Sequence, residues 1–253
     1  METIIERYRT LDQASIAAAD HIEEIVGAAI SGKGFCTFVL AGGRTPLHTY
    51  ELLGKPERTT RIPWPQCHYF WGDERWVPAT HTDSNFLMAH NTLLSHLHIP
   101  PRNIHKIPTD SRDPETDAAL YEKHLRDFFR TLPESETAGN SPDTAFPIFD
   151  LILLGMGSDG HTVSLFPGSD FLTERTKWVA AVAGGTGTPP VARITLTLPV
   201  LNRARNILFL IAGKRKREIA ETFLDKPWPT RMKMNYPAAC IKPSDRLIWL
   251  VAE

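Results

Sequence analysis

The strongest constraint on this chain is a rhythm in which compact apolar runs alternate with segments of helical periodicity. Phe35-Cys36-Thr37-Phe38-Val39-Leu40 is the first run, and others follow at 67–71, 149–154, 178–183, 206–212 and 247–251. Runs this short, without polar alternation, are strands buried on both faces, as in parallel sheets covered by helices. Residues 12–30 place Ile16, Ala19, Ile22, Val26 and Ile30 at helical spacing behind an acidic start, and Gly32 and Gly34 then break the chain. Further helical patterns lie at 46–54, 84–97, 115–132 and 214–224. The alternation predicts an α/β fold with a mainly parallel sheet. Residues 133–147, rich in Pro, Ser, Thr and Gly, are expected to form a surface loop between a helix and a strand, because buried strands lie on both sides. One domain over residues 1–253 follows.

Charge then limits the partners. The 253 residues carry 28 Lys and Arg against 29 Asp and Glu, a formal net charge of −1. A dedicated nucleic-acid surface needs a basic excess, so no nucleic-acid partner is expected. No apolar run approaches the roughly 20 residues that span a bilayer, and METIIERYRTLD has no leader-like apolar segment with a cleavage site. Cys36, Cys67 and Cys240 are sparse and odd in number, without CxxC spacing, and are read as small buried residues in a reducing compartment. A cytoplasmic protein is the expectation, monomeric or weakly self-associating.

Four segments could carry chemistry. In Leu40-Ala41-Gly42-Gly43-Arg44-Thr45-Pro46 a strand ends in paired glycines and a helix begins, with Thr45 as the expected N-cap and Pro46 in the first turn. Such a turn lets backbone N–H groups approach a phosphate, and Arg44 adds charge; an ordinary strand–helix turn is the alternative. Phe70-Trp71-Gly72-Asp73-Glu74-Arg75-Trp76 delivers acids and a cation to a strand's carboxyl end, where ligands of open α/β sheets bind. Arg75 could fork onto a phosphate, with Asp73 or Glu74 orienting it or handling protons; a surface ion cluster is the competing account.

The third segment, Phe149 to His161, contains Gly155, Gly157 and Gly160 in GxGxxG spacing. A dinucleotide site would need an acidic residue about 20 positions on, at the end of the next strand. The run 178–183 ends instead in Gly184-Gly185. More telling is His161, which leaves the glycine-rich turn two residues after Asp159, an arrangement suited to a general base oriented by a carboxylate. No HExxH, CxxC or GxSxG accompanies it, and His96 and His98 are read as structural. Last, Arg193 sits in the strand candidate 189–198, and Lys214-Arg215-Lys216-Arg217 opens a helix. Four cations there oppose the helix dipole, which a nearby phosphate would relieve; a solvated charged face is the alternative.

Together the segments resemble a known family. AGGRTP, WGDERWVP followed by Asp83-Ser84-Asn85, FDLILLGMGSDGHTVSLFPG, RITLTLPVLNRA, LFLIAGKRK and YPAACIKPSDRLIWLVAE are similar, in order and spacing, to the 6-phosphogluconolactonases. The likeness runs from about residue 10 to the C-terminus. It implies a modified Rossmann-like α/β sheet sandwiched by helices. It also implies hydrolysis of 6-phospho-D-glucono-1,5-lactone in the oxidative pentose phosphate pathway, without metal, nucleotide or covalent intermediate.

On that resemblance the substrate phosphate sits against Gly42, Gly43, Arg44 and Thr45, held by some of Arg75, Arg193 and Lys216, with Asp73 and Gly157 lining the site. His161 activates water, Asp159 supports it, and N–H groups of the glycine-rich turn face the oxyanion. The wider superfamily includes glucosamine-6-phosphate deaminase, whose pattern places Glu five residues after the His; here that position is Phe166. Arg44 stands where the lactonases commonly carry Ser. A deaminase-like activity, or a non-catalytic sugar-phosphate sensor, remains the alternative.

Overall fold

The structure, a computed structural model, describes residues 1–139, 145–224 and 235–253. In chain order come β1 (Glu2–Tyr8), α1 (Leu11–Lys33), β2 (Cys36–Leu40), α2 (Leu47–Leu53), α3 (Pro56–Thr59), β3 (Cys67–Trp71), β4 (Asp73–Arg75), α4 (Asn85–Thr92) and α5 (Pro114–Arg130). Then follow β5 (Thr137–Ala138), β6 (Phe146–Pro147), β7 (Leu151–Leu154), β8 (Val179–Val182), β9 (Arg193–Leu196), α6 (Leu198–Leu201), β10 (Asn206–Ala212), α7 (Lys214–Leu224) and β11 (Arg246–Ala252).

Six strands form one sheet in the order β1-β11-β10-β7-β2-β3, every neighbouring pair parallel. β2 and β7 are buried at every position, as their unbroken apolar sequence requires. Helix α1 lies across β1, β2, β7, β10 and β11. It starts where the Thr10 hydroxyl accepts the Gln13 N–H and runs through Gly32. It stops at Gly34, whose φ of +84° lets its N–H close on the Ile30 carbonyl at 2.8 Å. Phe129 of α5 packs edge-on against Phe149, and Phe223 of α7 against Trp249, which is itself stacked on Phe209. Among the described residues no helix is long and apolar enough to cross a membrane.

Two sequence expectations need correction. The run at 178–183 and the strand candidate at 189–198 do not join the parallel sheet; β4, β9 and β8 form a separate antiparallel sheet. A short apolar run carries no information about the direction of its partner. β1 was not anticipated, because an edge strand reading ETIIERY is only partly buried and shows no apolar run. The segment 133–147 does join a helix to a strand, yet it contributes the small β5–β6 pair; residues 140–144 lie outside the described residues. Cys36 and Cys67 are buried and Cys240 is partly exposed, all three as free thiols.

At the amino ends of the strands, the buried Asp150 carboxylate accepts the Thr37 N–H at 2.8 Å and the Thr37 hydroxyl at 3.0 Å. It also meets Arg205 at 3.0 Å and Lys33 at 2.9 Å. This ties the start of β2 to the start of β7. Lys33 and Arg205 also pair with Glu136, so Asp150→Ala leaves them matched but strips the buried Thr37 N–H and hydroxyl of their acceptor, and should lower the unfolding free energy by about 1–3 kcal/mol in urea denaturation.

A chain of imidazoles joins β3 to α5: His68 Nδ1 lies 3.0 Å from His105 Nε2, and His105 Nδ1 lies 2.8 Å from His124 Nε2. Burial lowers the pKa of all three. For His105, stacked on Phe70 and flanked by the other two rings, the value falls to about 3. The unfolded chain takes up these protons near pH 6.5 while the folded chain resists them, so stability is present above pH 6.5 and is lost as pH falls toward 3. Urea midpoints measured between pH 7 and pH 4 should decline, and His105→Phe should flatten that decline.

Candidate active site

β2 is followed outward by β3, whereas β7 is followed by β10 on its other side, so the direction of winding reverses between β2 and β7. Loops leaving adjacent strands at such a point diverge and open a crevice. Here the loops are Ala41–Pro46 and Gly155–His161, and they border a cavity of about 210 Å³. Gly42, Gly43, Arg44, Thr45, Asp73, Arg75, Gly157, His161, Arg193 and Lys216 all line it, although they come from five separate segments. Asp159 stands behind His161.

The first loop needs its glycines. A Cβ on Gly42 would fall 1.9 Å from Asn85 Oδ1, and Gly43 has φ of +83°. Thr45 is not the N-cap. A turn closed by the Leu47 N–H on the Arg44 carbonyl puts Pro46 in that position, with no side-chain cap. Helix α2 has only seven residues, so positive potential here comes chiefly from side chains.

Lys216 is partly buried, and its ammonium is pushed below the usual lysine range by burial and then by Arg44. Among the described residues neither Arg44 nor Lys216 has a carboxylate partner. Of the four-cation run, only Lys216 enters the cleft. Arg215 donates to the Ser158 carbonyl at 3.0 Å, Arg217 pairs with Glu253, and Lys214 is exposed. The helical turn at the exit of β10 sorts them.

Arg75 and Arg193 are register partners on β4 and β9. Arg75 spends one guanidinium nitrogen on the Asp83 carbonyl at 2.7 Å; Arg193 spends one on the Pro189 carbonyl at 3.0 Å. Arg193 is almost fully buried, and burial lowers its pKa, partly countered by Asp73, whose Oδ2 is 3.7 Å away. The same Asp73 carboxylate accepts the Ser164 hydroxyl at 2.6 Å and the Asn85 amide at 3.3 Å, so it ties three segments together. Glu74 is buried away from the cavity and accepts the N–H groups of Arg75, Asn85 and Phe86. Burial raises its pKa against those bonds. It anchors α4 rather than handling substrate.

His161 and Asp159 form the sharpest feature. Asp159 Oδ1 accepts the His161 backbone N–H at 3.1 Å and lies 2.6 Å from ring Nδ1. A carboxylate on Nδ1 places the ring proton there and leaves Nε2 with its lone pair. Burial would raise the Asp159 carboxyl, but the His161 N–H and ring outweigh it and hold it below the usual carboxylate range. Gly157 makes room, since a Cβ there would sit 2.1 Å from Nδ1. The Phe166 ring packs 4.6 Å from the imidazole. The N–H groups of Gly157 and Gly160 are spent on the carbonyls of His161 and Gly157. Those two N–H groups are therefore engaged within the turn itself.

Asn85, Val163, Met156 and Thr188 also line the cleft and were not singled out in sequence. Asn85 was within reach. Ser84 before a helical pattern marks an N-cap, and its hydroxyl does accept the Leu87 N–H at 3.1 Å, which sets Asn85 at the cleft edge.

Fold and site together define an enzyme of the α/β class with its cleft at the switch point of a parallel sheet. Residues 9–249 match the family model described as glucosamine-6-phosphate isomerases/6-phosphogluconolactonase, and the chain belongs to that family. It is 39% identical over 252 residues to a 6-phosphogluconolactonase of Synechocystis, covering 99% of this chain and 94% of that one. A solved 6-phosphogluconolactonase structure from Thermotoga maritima is 30% identical, with a TM-score of 0.79 and 100% of both chains covered. That from Trypanosoma brucei is 28% identical, with a TM-score of 0.84 over 99% of this chain and 96% of the other.

Proposed function

We propose that the chain hydrolyses 6-phospho-D-glucono-1,5-lactone to 6-phospho-D-gluconate, the lactonase step of the oxidative pentose phosphate pathway, in the cytoplasm. One observation carries the reading: a carboxylate-braced imidazole shares a cleft with two cations, Arg44 and Lys216, that have no carboxylate partner among the described residues. The phosphate engages those cations, with Arg75 and Arg193 behind them. Fixing this unreactive group positions the lactone carbonyl and offsets the entropy of bringing water and ester together.

His161 Nε2 takes a proton from water as its oxygen bonds to C1. The tetrahedral intermediate then expels the ring oxygen, which receives that proton, and the carboxylic acid so formed releases its remaining proton to solvent to give the carboxylate. Asp159 holds the tautomer and stabilises the imidazolium that arises between the two transfers. Phe166 favours hydrolysis over ring opening with amine loss, because it gives the imidazole an apolar neighbour where the deaminase pattern supplies a second acid.

His161→Ala should slow lactone hydrolysis by roughly 10²–10⁴-fold after subtraction of the spontaneous rate, with folding retained. Activity near wild type would remove His161 from the reaction. Lys216→Ala and Arg44→Ala should each raise KM for the phosphorylated lactone by roughly 10–100-fold, the loss expected for a charge-assisted contact. An unphosphorylated lactone should be unaffected; equal losses on both would make these cations structural.

A further inference from the structure

Val163 is the one non-glycine among the described residues with left-handed backbone, at φ +46°. For a β-branched side chain this conformation is a true outlier, and it persists only where the surroundings over-determine it. Its flanks supply that constraint. The Thr162 hydroxyl donates to the Gly155 carbonyl at 2.8 Å, and the Leu165 N–H closes on the Thr162 carbonyl at 3.0 Å. The Ser164 N–H donates to Thr195 Oγ1 at 3.2 Å and its hydroxyl to Asp73 at 2.6 Å. Val163 is thus the second residue of a pinned four-residue turn, a position that turns with positive φ normally give to Gly, Asn or Asp.

The strained backbone drives the isopropyl group against Gly72. A Cβ on Gly72 would lie 2.9 Å from Val163 Cγ1, so the glycine leaves the space the valine fills. Both residues line the cleft, and His161 is two positions upstream. Val163 is only partly buried: it packs against the edge of the core and also borders the cleft.

We infer that Val163 is a substrate-positioning residue whose methyl groups form the apolar floor of the cleft. The C–H face of the sugar ring rests on this floor, which sets the height of the lactone carbonyl relative to His161 Nε2. The inference rests on the lactonase reading.

The test uses the full chain with Val163→Gly, Val163→Ala and Val163→Ile. Glycine relieves the backbone, so its Tm should be unchanged or raised by about 2–4 °C. Its kcat on the phosphorylated lactone should fall on the order of 10–100-fold through misplacement of the ring. Competitive inhibition by inorganic phosphate should not change, because the cations are untouched. Alanine keeps the strain but loses the methyl groups, and should lose kcat likewise; isoleucine restores the branched floor and should stay close to wild type.

Unchanged kcat in both the glycine and alanine variants would overturn the inference. So would a Tm several degrees lower in the glycine variant with kcat intact, the mark of simple packing. Wild-type turnover is measured in the same series: an inactive wild type defeats the lactonase reading itself, whereas an active wild type with unaltered variants defeats only the role of Val163.

Discussion

Everything at the cleft depends on the parallel pairing of β2 with β7, in which Phe38 lies opposite Leu151 and Val39 opposite Ile152. These strands are far apart in sequence, and the Asp150 carboxylate on Thr37 fixes their register from the buried end. Once they lie side by side, their loops leave at the same edge. One carries paired glycines and Arg44; the other carries Asp159 and His161. Neither loop is a site alone. Their meeting follows from where the sheet reverses its winding, a property of topology and not of either motif.

Electrostatics then divides the labour among similar residues. The chain is almost neutral overall, yet among the described residues Arg44 and Lys216 line the cleft without a carboxylate partner, and Arg75 and Arg193 are partners across β4 and β9, with Asp73 beside Arg193. Charged neighbours in sequence have unrelated tasks. Asp73 joins segments around the cavity while Glu74 secures the first turn of α4; Lys216 enters the cavity while Arg215 holds the Ser158 carbonyl. Burial makes the Asp73 and Glu74 arrangements costly to disturb, because an unmatched charge or donor in the interior loses its water without replacement.

Much of this was legible in sequence, and the reasons are specific. The apolar runs of β2, β3, β7, β10 and β11 marked buried strands, and His161 two residues after Asp159 marked an imidazole beside a carboxylate, a pair that lies 2.6 Å apart in the structure. What escaped notice depends on partners. β8 and β9 look like parallel-sheet strands until their neighbours are known, and β1 is an edge strand with little apolar content. Thr45 had the right chemistry for a cap, but the Arg44–Leu47 turn moved the helix start by one residue. Val163 gave no signal at all, since backbone strain is invisible in residue type.

The central claim is that the cation-lined end and the His161 end of the cleft hold one sugar phosphate between them. A crystal structure with 6-phospho-D-gluconate bound tests it most directly. The account predicts the phosphate on Arg44 and Lys216 and the C1 carboxylate within hydrogen-bond reach of His161 Nε2. A phosphate bound elsewhere, or a C1 carboxylate turned away from His161, would contradict it.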